Sequence, residues 1–302
     1  MFRPWRSFPT MVASGLVLGL LTGGFPRYSQ EISQIALGIA MTFSLTEISL
    51  LRLSPRDEAR GFLLAALMSY GVLSGLVLLF AFLTPDPALH DGWVLMAAVP
   101  PAVAVIPITA YLKGDVRRAL VSLALLYLLG LLLVPLVTLA LTNQPAPVST
   151  LILQTILLIG VPLLASRPLR RWRGIGEVRG TAVGLAFFVL VFAIAGSTRE
   201  PLLDRPELGI SLSVLSFVRT FVLGLAVLAV ARAMRLPDDE VVAVATFGSF
   251  KNLGLTVVLA FAVFGATSTL PSIFSLVFEI LWLAALPSVF RFMTQPGEGR
   301  KK

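Results

Sequence analysis

The sequence predicts an all-α polytopic membrane protein of ten transmembrane helices, arranged as two inverted five-helix repeats. Three observations predict this fold class. The chain is 57% hydrophobic and 13% charged, with a mean hydropathy of +0.90, whereas a soluble domain is about 45–50% apolar and about 25% charged. Ten apolar stretches approach the roughly 20 residues that a spanning helix needs. Finally, Lys and Arg concentrate in alternate connectors, as they do in polytopic proteins.

The spans follow one another with short polar connectors between them. The first apolar run lacks a signal-peptide cleavage site and is interpreted as a retained helix. Trp5, Trp93 and Trp172 fall near predicted span ends, as interfacial anchors do. The ten predicted spans cover residues 8–24, 32–50, 61–83, 93–111, 116–141, 148–166, 180–197, 208–231, 241–264 and 271–290.

The loop charges predict the orientation in the membrane. The N-terminus and every second connector carry 19 of the 24 Lys and Arg residues, and the opposite side carries 3. Because these residues accumulate in cytoplasmic loops, we expect a multi-pass protein of the cytoplasmic (inner) membrane with both termini in the cytoplasm. The net charge of +8 then needs no nucleic-acid partner. Membrane lipid is an expected partner, and the oligomeric state stays open.

The ten spans divide into two halves, residues 1–145 and 146–302, and the second half enters the membrane from the opposite side because five is odd. The fourth span of each half is interrupted, by Pro100-Pro101 in span four and by Gly248-Ser249 with Lys251-Asn252 in span nine. Two consecutive prolines break a helix, although a simple kink remains an alternative for Pro100-Pro101. Paired interruptions at matching positions predict a transport site at mid-membrane.

Three ionisable residues fall near mid-depth, in spans eight, nine and ten: Arg219, Lys251 and Glu279. Charges inside a membrane are costly and usually face a cavity or a partner. We therefore expect an electropositive cavity for an organic anion, centred on Lys251. An ion pair of Glu279 with Lys251 or with Arg219 is the structural alternative. Glu47 lies near the cytoplasmic end of span two, where solvent reaches it, and is assigned no role.

These features resemble the bile acid:sodium symporter family over most of the chain. The resemblance implies a panel of spans one, two, six and seven and a core of spans three to five and eight to ten, with broken spans four and nine crossing in the core. It also implies symport of an organic anion, bile-acid-like, a keto acid or similar, by alternating access. The matching residues are Pro100, Thr109, Lys113-Gly114-Asp115, Pro135, the stretch Leu37–Glu47, Asn252 with Leu253-Gly254-Leu255, and the last span from Ser272 through Trp282.

The departures from the family concern its sodium ligands. Val105 and Ile106 stand at the family's Ser-Asn pair, Phe247 at its acidic residue and Lys251 at its glutamine. A hard cation needs several oxygen ligands, so the sodium site is predicted to be lost, and no cofactor or metal is expected. The Lys251 ammonium is predicted to take the place of the cation and to bridge the broken backbone. Transport is then either uncoupled or coupled to protons that Lys251 releases and rebinds.

The predicted substrate site collects the two interruptions and the charges beside them. Its residues are Pro100, Pro101, Val105, Ile106, Thr109, Phe247, Gly248, Ser249, Phe250, Lys251, Asn252, Glu279 and Arg219.

Two other classes of function are alternatives to a transporter. A non-transporting sensor or receptor on the same fold remains an alternative. A membrane-embedded enzyme such as a prenyltransferase would use Asp238-Asp239-Glu240, but such an enzyme needs a second acidic motif, and Asp57-Glu58 is a poor match. A helix start after Pro237 is the simpler explanation. The chain has no cysteine and a single histidine, His90, and no enzyme motif, so an enzyme is not expected.

Overall fold

The computed structural model describes residues 8–47, 59–143 and 147–294, of which 85% are helical and none forms a named strand. Among these residues, six helices are long and apolar enough to cross a membrane: Ala59–Leu83, Val116–Leu141, Val148–Leu169, Ile175–Ser197, Glu207–Ala233 and Thr267–Phe292. Phe8–Thr22 and Leu253–Phe264 are shorter apolar helices. The helices are α1 Phe8–Thr22, α2 Ser29–Ser44, α3 Ala59–Leu83, α4 Pro87–Ala98, α5 Val105–Tyr111, α6 Val116–Leu141, α7 Val148–Leu169, α8 Ile175–Ser197, α9 Arg199–Asp204, α10 Glu207–Ala233, α11 Asp238–Phe247, α12 Leu253–Phe264 and α13 Leu270–Thr294.

The all-helical membrane architecture is confirmed in this part of the chain. Each predicted span overlaps one helix, except that span four consists of α4 and α5, and span nine of α11 and α12. The inverted repeat itself stays a prediction, and its boundary at residue 145 lies outside the described residues. So do Trp5 and the weak acidic motif Asp57-Glu58.

The start of α4 corrects the predicted bounds of span four. The helix begins at Pro87, because the carboxylate of Asp86 accepts hydrogen bonds from the backbone N–H groups of Ala88 and Leu89. Trp93 is therefore not at a span end. It is fully buried, and its ring packs edge to face against that of Phe80, with 5.5 Å between the ring centres.

Asp86 also forms an ion pair with Arg205, at 2.6 Å, in the connector before α10. Partial burial raises the pKa of Asp86, but the hydrogen bonds from Arg205 and from the first turn of α4 outweigh burial and hold the pKa below its usual value. The pair joins the beginnings of two helices, α4 and α10.

The helices pack as two groups. The panel group consists of α1, α2, α7 and α8, in which α8 lies between α1 and α2. Glycines allow the closest approach, since a Cβ added at Gly15 or Gly19 would lie 2.6 Å from the backbone oxygen of Phe188 or Phe192. The core group consists of α3 to α6 and α10 to α13.

Three long helices contain a π-helical turn, at Leu67–Leu73 in α3, Ile156–Gly160 in α7 and Val218–Val222 in α10. π-turns are rare and frequently occur at functional sites. Those of α3 and α10 carry Tyr70 and Arg219, two residues that take part in the site described next.

Candidate functional site

The interruptions of spans four and nine lie against each other. The chain is extended after Ala98, at the end of α4, and an isolated antiparallel bridge joins Pro101 to Lys251. The backbone N–H of Asn252 donates to the carbonyl oxygen of Pro100 at 3.0 Å. Each break thus pairs with backbone groups of the other, which satisfies polar groups that would be costly in a membrane interior.

Lys251 closes the end of α4. Its Nζ donates to the carbonyl oxygens of Val99, at 2.8 Å, and Ala97, at 3.2 Å. The ammonium also lies 4.4 Å from the centre of the Tyr70 ring, a cation–π arrangement. A cation is favourable at a helix C-terminus, where carbonyl groups lack partners. The side chain therefore connects the break in span nine to the end of α4.

Asn252 begins α12 and connects it to neighbouring helices. Its Oδ1 accepts a hydrogen bond from the backbone N–H of Leu255 at 3.1 Å, which caps the helix. Its Nδ2 donates to the Tyr127 hydroxyl at 2.9 Å and contacts the Met41 sulfur at 3.2 Å. The Tyr127 hydroxyl of α6 thus accepts a hydrogen bond from the residue that begins α12.

Arg219 and Glu279 form a buried ion pair, with 2.7 Å between Nη2 and Oε2. An ion pair of Arg219 with Glu279, the structural alternative for Arg219, is therefore the observed geometry. The Nζ of Lys251 donates instead to backbone carbonyl oxygens of α4. Arg219 also donates to the Thr220 hydroxyl at 3.2 Å, but its Nε has no hydrogen-bond partner among the described residues. Such a pair offsets its desolvation cost only when its polar atoms are well satisfied, so stability alone explains it poorly.

The two helix breaks meet at Pro101 and Lys251, a point called the crossing below. A cavity of about 550 Å³ extends from the crossing toward one end of the molecule, between the panel and core groups. Its volume is in the range typical of small-molecule sites. Four ionisable residues line it, and they are balanced in formal charge: Glu47, Arg179, Lys251 and Glu279. The other lining residues are Phe8, Met41, Ser44, Ala102, Val103, Ala104, Pro107, Ile108, Tyr111, Gly180, Val183, Phe187, Phe250, Asn252, Leu253, Gly254, Leu276, Ile280, Leu283 and Pro287.

Four residues of the predicted site line this cavity: Phe250, Lys251, Asn252 and Glu279. Thr109 and Phe247 line a separate cleft of about 20 Å³ within the core group. The remaining predicted residues are buried and do not line the cavity: Pro100, Pro101, Val105, Ile106, Gly248, Ser249 and Arg219.

The panel side of the cavity was missed by sequence reasoning. Glu47, at the end of the 3₁₀ turn after α2, forms an ion pair with Arg179 of α8 at 2.6 Å. Arg179, Val183 and Phe187 follow one face of α8 into the cavity. The available signal was a pair of opposite charges at the ends of two spans on the same side of the membrane.

The acidic run at the start of α11 is engaged by arginines from three other helices. Asp238 pairs with Arg232 at 2.8 Å, Asp239 with Arg118 at 2.9 Å and Glu240 with Arg60 at 2.9 Å. The three carboxylates lie in the first turn of a helix, where negative charge is favourable. These pairs identify the partners of the three carboxylates. Within the described ranges, no group of three or more His, Cys, Asp or Glu side chains is placed to hold a metal ion.

Comparison with known proteins places this arrangement in a family. The model of the SBF-like CPA transporter family (DUF4137) matches residues 29–286. This match supports the resemblance to the bile acid:sodium symporters at the level of the wider superfamily. No curated protein sequence gives a significant match. With its crossed helix breaks and apolar helices, the chain belongs to the SBF-like CPA transporter family, a family of membrane transporters.

Proposed function

We propose that this protein is a secondary transporter that moves an amphipathic organic anion across the cytoplasmic membrane by alternating access. The observation that carries the proposal is the cavity between the panel and core groups, which ends at the crossing of the two helix breaks. Transporters of this general design bind their substrate at such discontinuous helices and rock one bundle against the other.

The cavity gives the proposed conformation. Its outer lining comes from the ends of helices that the loop charges assign to the cytoplasm, including Phe8, Glu47, Tyr111 and Pro287. In the orientation that the loop charges predict, the cavity opens toward the cytoplasm, so we infer an inward-open state. Apolar side chains dominate the lining, which favours a substrate with an apolar body and few charged groups.

The two halves have matching irregularities, which supports the inverted repeat. The third helices of the halves, α3 and α10, both contain a π-turn. The fifth helices, α6 and α13, each contain an internal proline, Pro135 and Pro287. Together with the two breaks, these features occur in the same order at residues 1–145 and 146–302, whereas the π-turn of α7 has no counterpart in α1.

Sodium coupling is disfavoured by the position of Lys251. Its ammonium already donates to the carbonyl oxygens at the end of α4, and a positive charge there repels a second cation. The family's oxygen ligands are replaced by apolar side chains at Val105, Ile106 and Phe247. We infer that Lys251 serves as a tethered cation, with either uncoupled transport or proton coupling.

The test is uptake by purified protein reconstituted into vesicles. The panel of probes comprises taurocholate, phenylpyruvate and 4-methyl-2-oxopentanoate, each with a sodium gradient, a proton gradient or neither. We expect uptake of at least one probe that does not depend on sodium. Sodium-driven uptake would contradict the role of Lys251, and lack of uptake of all three would contradict the organic-anion function. Binding without uptake, seen as a higher melting temperature, would favour the sensor.

A matched pair of lysine variants tests the tethered cation. Lys251→Gln should abolish uptake, because the amide cannot supply the charge that the α4 carbonyl groups receive. Lys113→Gln is the control, since Lys113 is exposed in the turn between α5 and α6 and should keep wild-type uptake. Normal uptake by Lys251→Gln would remove Lys251 from the transport site.

A further inference from the structure

We propose that Arg179 holds the anionic group of the substrate in the inward-open state, and that Glu47 is the resident counterion which the substrate displaces. The inference rests on the proposed function and specifies how its substrate lies in the cavity. The charged end would lie near the cytoplasmic mouth, and the apolar body would extend inward along α8 to the crossing.

Arg179 is the cationic side chain of the cavity that an anion can reach. Two cationic side chains line the cavity in the described part of the chain, Lys251 and Arg179. Lys251 is fully buried and directs its ammonium away to carbonyl groups of α4. Arg179 keeps 32% of its side chain exposed. An anion can therefore reach the guanidinium without breaking the crossing.

One face of α8 extends from Arg179 toward the crossing. Arg179, Val183 and Phe187 are spaced by four residues, so they lie on one helix face, and all three line the cavity. At 1.5 Å per residue this face extends about 12 Å from the guanidinium level to Phe187. Phe187 contacts Gly254 in the first turn of α12, beside the break. An amphipathic anion of that length fits with its carboxylate or sulfonate on Arg179.

Glu47 occupies the guanidinium of Arg179 in the empty cavity. Its carboxylate lies 2.6 Å from Nη2 of Arg179, and 23% of its side chain is exposed. Both side chains of the pair are partly exposed, so water screens their attraction and an incoming anion can compete with Glu47 for the guanidinium. A guanidinium also recognises a carboxylate or sulfonate with paired hydrogen bonds. When the substrate leaves, Glu47 neutralises Arg179 again, which keeps the empty cavity balanced in charge.

The mechanism predicts effects of opposite sign for the two members of the pair. Arg179→Gln should weaken taurocholate binding by about tenfold or more, the loss expected for a hydrogen-bonded charge pair. Glu47→Gln removes the competing carboxylate and should tighten taurocholate binding several-fold. Both variants should bind cholamide, the uncharged amide of the same steroid, like the wild type. An ion pair with a purely structural role would instead affect both variants in the same direction.

The experiment measures dissociation constants for taurocholate and cholamide on purified full-length protein, with uptake measured in parallel. Arg173→Gln is the control, because it removes an exposed arginine from the α7–α8 connector. The double variant Glu47→Gln/Arg179→Gln removes both charges and serves if the single arginine variant folds poorly. It should bind the two ligands about equally.

The outcomes separate this inference from the proposed function. Weaker binding of taurocholate in Lys251→Gln but not in Arg179→Gln would place the anion at Lys251 and overturn the inference. Equal loss of taurocholate and cholamide binding in Arg179→Gln would do the same, and so would failure of the wild type to bind taurocholate while it transports the short oxo acids. In each of these cases the transporter function stands. Only the absence of uptake of every probe by the wild type counts against the function itself.

Discussion

Replacing Glu279 with glutamine tests the meaning of the buried ion pair. The variant keeps the shape of the side chain but removes its negative charge. Arg219 is fully buried and depends on Glu279 as its ion-pair partner, at 2.7 Å. Glu279→Gln therefore leaves a guanidinium without a counterion inside the core group.

The expected cost follows from that burial. Removing one member of a buried pair typically destabilises a protein by about 3–5 kcal/mol. Domains of about 150–250 residues lose about 2–4 °C per kcal/mol, so in this chain of 302 residues we expect the lower end of that scaling, a fall of about 6–10 °C in the melting temperature. The double variant Arg219→Met/Glu279→Leu removes both charges and keeps apolar volume. It should be clearly more stable than Glu279→Gln, because no unpaired charge stays behind.

Thermal unfolding in detergent gives the stability order, and uptake by reconstituted protein gives the role of the pair. We expect the double variant to fold but to transport poorly, since Glu279 also lines the cavity near Lys251. The energetic reasoning is refuted if Glu279→Gln melts like the wild type, or if the double variant is no more stable than Glu279→Gln. Wild-type uptake by the double variant would show that the pair is only structural.

Two further predictions concern α4. Gly92→Ala should lower the free energy of unfolding by about 1–3 kcal/mol, because the added Cβ would overlap the backbone carbonyl of Ser268. The control is Gly75→Ala in α3, which has open space around it and should be neutral or slightly stabilising by thermal melting. An equal loss of stability in both variants would contradict the steric reasoning. Asp86→Asn keeps the helix cap but loses the charge paired with Arg205, so it should lower stability by at most about 1 kcal/mol near neutral pH. Because the folded-state pKa of Asp86 is lowered, this contribution is present above the unfolded-state pKa, about 4, and is lost as the pH falls through the folded-state value. A stability difference that does not shrink as the pH falls below about 4 would contradict this assignment.

The crossing was largely predictable from the sequence, because broken helices leave a chemical trace. Pro100-Pro101 removes two backbone donors, and Lys251 places a charge where hydrocarbon would otherwise be. Each feature is costly in a membrane unless another part of the chain satisfies it. The structure brings them together, with the Lys251 ammonium on the carbonyl groups of α4.

The panel side of the cavity was not predictable in the same way. Val183 and Phe187 look like any lipid-facing or packed side chain, because their position depends on how α8 is rotated against α12. The partners Glu47 and Arg179 lie far apart in the chain. A hydropathy window also locates apolar length and ignores capping, so it misplaced the start of α4 and the environment of Trp93.

The distribution of ion pairs bears on how the two groups could move. Glu47 and Arg179 both belong to the panel side, whereas Arg219–Glu279 and the three pairs of the acidic run lie within the core group. Each of these ion pairs thus lies within one group. Breaking a buried pair costs several kcal/mol, so these pairs favour motion of each group as a unit. A substrate that binds Arg179 while its apolar body lies against α12 would contact both groups, and its binding would be coupled to their relative motion.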